Sequence, residues 1–143
     1  MSTGAAVIVK LADGSYQGIY SYSDGYGLLP FLKVMAPTQE QAEQLVALGD
    51  CSQIYACERI KPIGKHSWDV REKRTVIAYH RDRNEVWNDV KPIDGKTWLS
   101  VARRISHSGY AYVFEDGRWS MYKSGGYGCN KFVPVTPQVV ETA

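Results

Sequence analysis

The stretch that most limits what this chain can fold into is residues 5–25. An apolar run, AAVIVKLA at 5–12, meets Asp13-Gly14, and the chain returns through tyrosine-laden YQGIYSYS at 16–23 to a second Asp-Gly. β-Branched residues fit a pleated surface, and the two-residue period places Val7, Val9 and Leu11 on one face. Asp-Gly between two such runs is a hairpin signal, because glycine accepts the positive φ of a type I′ turn. On the return, Tyr16, Gly18, Tyr20 and Tyr22 share one face, with Gln17, Ile19, Ser21 and Ser23 on the other. Gly18 in mid-strand predicts a bulge or a close backbone approach.

A second hairpin is legible later. YAYVFE at 110–115 and RWSMY at 118–122 flank Asp116-Gly117. Residues 74–80 alternate as a strand, with Thr75, Ile77 and Tyr79 facing one way and Val76, Ala78 and His80 the other. Residues 86–90 and 132–135 are short strand candidates, the last confined to an edge by Pro134.

Three stretches read as helical. Residues 28–36 place Pro30 in a first turn, where its missing N–H costs little. Thr38 and Gln41 form a capping box ahead of a stripe of Ala42, Leu45, Val46 and Leu48, closed by Gly49. Trp98, Val101, Ala102 and Ile105 repeat at i, i+3, i+4 and i+7 behind Asp94 as N-cap, with Gly109 as the stop. Residues 58–73 read as a long loop.

These elements predict one α+β domain. It has a single antiparallel sheet of about four to six strands with two or three helices packed on one face. The tail from residue 136 is expected to fray. At 143 residues the chain suits one domain with a real core.

Composition narrows the function classes. A formal charge of +2 excludes an acidic nucleic-acid mimic and lends nothing to direct nucleic-acid binding, which draws on clustered Lys and Arg. Three cysteines without a CxxC suit a reducing cytosol. No apolar run reaches the ~20 residues of a membrane span, and the first residues lack a signal-peptide pattern. A cytoplasmic protein with no membrane partner is expected. Ten Tyr and four Trp are rich. Strand packing accounts for them simply, and a recognition surface is the alternative.

Several constellations could carry chemistry. Residues 24–27, DGYG, could cradle an anion at a helix start, but they lack the P-loop pattern and serve equally as turn and helix entry. Tyr79-His80-Arg81-Asp82-Arg83 is the most chemically loaded run. His80 could act as a general base oriented by Asp82, with Arg81 or Arg83 clamping a phosphate. No partner nucleophile accompanies it, and a charged, solvated hairpin end explains the run as well. His66, His80, His107, Cys51, Cys57 and Cys129 show no zinc spacing. Neither a metal nor another cofactor is therefore expected, and the thiols read as small buried hydrophobes. Residues 124–130, SGGYGCN, form a glycine-rich loop or a ligand lid. Lys96, Arg103, Arg104 and Arg118 make a modest basic patch or a solvated surface.

Taken in order, DGSYQGIYSYSDGYG, LVALGDCSQI and TVIAYHRDRNE resemble a family of small uncharacterised bacteriophage and prophage proteins. Their pattern is DGxYQxIYxxxDGY, then LGDxS, then AYHRDRxE. The hairpin YAYVFEDGRW is similar to the family's closing element. The resemblance covers most of residues 5–122, and the chain departs from it at LLPFLKVMAP. It implies a phage accessory protein.

The leading expectation is a non-enzymatic binding protein of phage origin. It would inhibit a host defence complex such as a CRISPR effector, or sequester a defence signal. Its partner would be a host protein or a nucleotide. The expected surface joins Tyr20, Tyr22, Asp24 and Tyr26 to His80, Arg81 and Arg83, an aromatic and arginine mixture that suits a hot spot. The two segments lie at strand ends and are expected to meet in space. The alternative is a small enzyme acting on a phosphate-containing substrate, with His80 and Asp82 as its catalytic pair. A nucleic-acid-binding module is the third. Self-association through an exposed edge at residues 118–122 is left open.

Overall fold

The apolar first strand is buried on both faces, and the rest of the fold follows from covering it twice. The computed structural model describes residues 4–22, 27–54, 76–105, 108–124 and 132–135. In chain order come β1 (Gly4–Lys10), β2 (Tyr16–Ser21), α1 (Leu28–Met35), α2 (Gln39–Ala47) and β3 (Cys51–Gln53). Next are β4 (Ile77–Ala78), α3 (Tyr79–Arg83), α4 (Trp87–Val90), β5 (Ile93–Gly95) and α5 (Trp98–Arg104). β6 (Ser108–Glu115), β7 (Arg118–Ser124) and β8 (Phe132–Val135) close the order.

The strands form one sheet in the order β4-β3-β2-β1-β6-β7-β8, with β5 also pairing β2. β1 runs antiparallel to β2 and parallel to β6. β2 meets β3 in parallel at Ser21 and Cys51, and meets β5 antiparallel from Tyr16 to Gly18. Ala5, Val7 and Val9 face one core with Ile19, Tyr112, Phe114, Trp119 and the apolar sides of α1 and α2. Ala6 and Ile8 face a second core with Val101, Ala102 and Ile105 of α5. A strand covered twice reads as a continuous apolar run rather than an alternating one.

The helices are held by their buried faces. α1 buries Leu28, Leu29, Leu32 and Met35. Each such side chain contributes roughly 1.5–3 kcal/mol on burial, more than the propensity of so short a helix can supply. Trp119 Nε1 donates to Ala36 O at 2.8 Å and pins the end of α1 to β7. α2 starts where the capping box predicts, with Thr38 Oγ1 accepting from Gln41 N at 3.2 Å. α5 buries Val101 and Ala102, and its Trp98 stacks on Tyr122 at 4.3 Å.

Gly18 is where α5 comes closest to the sheet. A Cβ there would lie 2.7 Å from Val101 Cγ1 and 2.8 Å from Ile8 Cγ1. The expected close approach is thus a helix lying on β2. The two Asp-Gly turns differ. Asp116 and Gly117 both have positive φ and join Glu115 directly to Arg118, as a type I′ turn requires. At the first turn only Gly14 has positive φ, and Gly14 N donates to Leu11 O at 3.0 Å. That is a three-residue loop ending in a left-handed glycine, not the type I′ turn expected.

The α+β class stands, with the helices packed against the sheet. Four details of the expectation are corrected. Among the described residues the sheet is mixed rather than antiparallel, and has eight strands rather than four to six, because β3, β4 and β5 are too short to leave a pattern. Five helices are present among the described residues, and they lie on both faces. Of the run 74–80, described from Val76 onward, Ile77 and Ala78 are strand and Tyr79 already opens α3, and residues 87–90 are helical. Thr97, not Asp94, caps α5, which ends at Arg104, while Gly109 lies within β6.

Residues 118–122 are not an edge, because β8 covers β7. The expectations for Asp24, Tyr26, Cys57, His66, His107, Cys129, the loops at 58–73 and 125–130 and the tail from 136 lie outside the described residues. No helix among the described residues is long and apolar enough to cross a membrane.

Candidate functional site

Three separate stretches of chain are tied together at Asp50. Gly49, at φ +83°, turns the chain out of α2, and a Cβ on it would sit 2.5 Å from Val90 O. That close approach seats the next residue against the end of α4. Asp50 N donates to Val90 O at 2.7 Å, and Asp50 O accepts from Tyr79 N at 3.0 Å. Its carboxylate Oδ1 accepts from Tyr20 N at 2.9 Å. Cys51 O then accepts from Tyr22 N at 2.9 Å. One aspartate and its neighbour therefore join the end of β2, the start of α3 and the end of α4. The IYSY, LGDCS and AYHRDR segments meet here; the expected approach of residues 24–26 to AYHRDR lies outside the described residues.

Beside this junction lies a cleft of about 700 Å³. Tyr20 and Tyr22 line it from β2, and Asp50 lines it with Asn88 and Asp89 of α4. Lys91, Pro92, Ile93 and Asp94 follow from the next stretch, and Arg104 and Ile105 from the end of α5. Its volume falls within the range of small-molecule sites. The two tyrosine rings stand edge to face with centroids 6.4 Å apart. Tyr22 is exposed and Tyr20 half-buried. Gln17 Nε2 holds Asp94 Oδ1 at 3.0 Å, and Arg104 Nη1 donates to Asp94 O at 2.6 Å, so α5 and β5 meet in one wall.

The electrostatics follow from burial. Removal from water pushes the Asp50 carboxyl up to about 6, against a smaller opposing effect from the Tyr20 N–H. Burial also raises the hydroxyls of Tyr20 and Tyr79, so both remain neutral O–H groups at pH 7. Tyr79 is half-buried, hydrogen-bonds Ser52 and lies near Tyr20, Tyr22 and Asp50. Burial drives the Cys51 thiol far above its ordinary value, so it is not a nucleophile.

The residues expected at the site divide into two groups. Tyr20 and Tyr22 line the cleft. His80, Arg81 and Arg83 stand on α3, outside that lining. His80 is exposed, its Nδ1 donates to Glu85 O at 2.8 Å, and its ring packs edge-on to Trp87 at 5.1 Å.

Asp82 does not orient His80. Its carboxylate is 1% exposed and accepts from Ala78 N at 2.9 Å. The same carboxylate receives Arg81 Nε at 3.0 Å and Nη2 at 2.8 Å. Arg81 Nη2 also reaches Val76 O at 3.0 Å. Arg81 and Asp82 thus brace the turn between β4 and α3, and the proposed His80–Asp82 pair is not assembled. Arg83 is half-buried.

Sequence reasoning passed over Asp50, although it stood inside the LGDCS segment. Arg104 was read only as part of a basic patch. Among the described residues, no group of three His, Cys, Asp or Glu side chains is placed to hold a metal ion. No family model, curated protein or solved structure matches this chain.

Proposed function

We propose that this chain is a phage-encoded, non-enzymatic binding protein of the counter-defence kind, acting in the host cytoplasm through the cleft at Asp50. Of the two modes expected, capture of a small signal suits the geometry better than blocking of a large complex. The observation that carries this reading is the cleft itself. It has drug-sized volume and is lined by two tyrosines and a few polar side chains. The resemblance to phage accessory proteins supplies the setting. A phosphate-handling enzyme built on His80 gains no support, since that ring is engaged with Glu85 and Trp87 outside the cleft.

The test is to expose the purified chain to host lysate, wash it, and identify small molecules released by heating with mass spectrometry. A parallel protein pulldown reports the other mode. Tyr22→Ala is the control, because Tyr22 is 54% exposed and its loss spares the core. A released compound that Tyr22→Ala retains at least tenfold less is the expected result. Recovery of neither compound nor protein, or equal recovery by the variant, would count decisively against the proposal.

A further inference from the structure

Among the described residues, no cation forms an ion pair with Asp50. Oδ1 accepts one hydrogen bond, from Tyr20 N, and no hydrogen bond to Oδ2 is made among the described residues. The ion pairs among those residues are Lys10–Glu115 and Arg81–Asp82, neither of which reaches it. A partly desolvated carboxylate with one N–H donor and no counter-charge is an expensive arrangement. In a packed core it would be replaced or paired. Here it lines an open cleft.

The surroundings have the same preference. Among the described residues, the lining brings three carboxylates, Asp50, Asp89 and Asp94, together with two cations, Lys91 and Arg104. With all five ionised these residues carry one net negative charge. The Arg104 guanidinium is already engaged by Asp94 O. An anion would enter against that field. The tyrosine rings add a third preference, since the face of an aromatic ring attracts a cation.

We infer that the occupant of this cleft is a small organic cation that presents an ammonium, amidinium or guanidinium N–H to Asp50 and packs its body against Tyr20 and Tyr22. The inference rests on reading the cleft as the recognition site, and replaces the nucleotide expected from the sequence with a cation.

The experiment uses three probes of one shape and different charge: benzamidine, benzamide and benzoate. Each is titrated into the whole chain at pH 7.5 and followed by ligand-observed NMR. Benzamidine is expected to bind at least tenfold more tightly than the neutral and anionic probes. Asp50→Asn is expected to lower that affinity at least tenfold. Asparagine keeps the Oδ1 acceptor for Tyr20 N, so this change removes the charge and leaves the junction intact. Asp89→Asn is expected to have a smaller effect.

Equal or tighter binding of benzamide or benzoate overturns the inference. So does undiminished binding by Asp50→Asn, or no binding of any probe. The two readings fail separately. An anionic compound released from lysate-exposed protein sinks the cation and leaves capture standing. An empty release experiment beside Asp50-dependent benzamidine binding does the reverse.

Discussion

Replacing Gly18 with alanine tests the contact that sets α5, and with it one wall of the cleft. The new Cβ would lie 2.7 Å from Val101 Cγ1, 2.8 Å from Ile8 Cγ1 and 3.4 Å from Ile105 Cδ1. The first two distances are shorter than carbon atoms tolerate. Val101 and Ile8 are fully buried, so neither can swing clear into solvent. Forcing a methyl into a packed core costs about 1–3 kcal/mol. Alanine stiffens the unfolded chain and offsets roughly 0.4–1 kcal/mol of that. The net loss is then about 1–2 kcal/mol, and at roughly 3 °C per kcal/mol for a chain of this length Tm should fall by about 3–6 °C.

Thermal unfolding followed by circular dichroism measures the drop. A double-mutant cycle with Val101→Ala assigns it, because removing Cγ1 relieves the shorter contact. The pair should be less damaging than the sum of the single changes by at least about 0.5 kcal/mol. An unchanged or higher Tm for Gly18→Ala, or strict additivity with Val101→Ala, would refute the account of how α5 is seated.

Two further outcomes follow from the site. The Asp50 carboxyl titrates near 6 when folded, above its ordinary 3.8, so the folded chain holds that proton more tightly than the unfolded one. Stability contributed at Asp50 is therefore greatest below pH 4 and is lost as pH rises through about 6, by roughly 1–2 kcal/mol once solvent screening of a partly exposed group is discounted. Urea unfolding at pH 4 to 7 should show Asp50→Asn gaining on the wild type across that window, and a constant difference between the two would contradict it.

The second outcome concerns α3. Asp82→Ala should cost about 3 kcal/mol, because it strands the Arg81 guanidinium and the Ala78 N–H, whereas exposed His80→Ala should cost about 1 kcal/mol or less. Equal losses in urea unfolding would show that the brace has been misread.

What the sequence disclosed of the fold is what local pattern can carry. The two hairpins, the Thr38 cap and the apolar stripe of α5 each rest on residues within about ten positions of one another, where period and turn chemistry decide the outcome. Ile77-Ala78-Tyr79 went astray for a non-local reason. A β-branched run predicts a strand, but Asp82 folds back on Ala78 N and closes a helical turn at once. β3 and β5 are three residues each and exist because β2 offers them an edge, which no window of sequence records. At β1 the two-residue period places Val7, Val9 and Leu11 toward one core as expected, but helices lie on both faces rather than one, because α5 covers Ala6 and Ile8.

The site was less legible than the fold, for a related reason. Tyr20 and Tyr22 were found because aromatic residues at alternate positions advertise a surface. His80, Arg81 and Asp82 drew attention by their chemistry, yet two of them satisfy each other and the third answers to a backbone carbonyl. Asp50 drew none, because a single aspartate after a glycine is an ordinary way to leave a helix. Its significance lies in what surrounds it: β2, α3 and α4 spend its backbone groups and one oxygen, and none brings a cation. Charged residues abound in the sequence, so the missing counter-charge is a property of placement alone. The same placement that leaves Asp50 without an ion pair among the described residues sets it in the lining of the cleft beside Tyr20 and Tyr22, and that is why a cationic occupant would satisfy both the carboxylate and the rings.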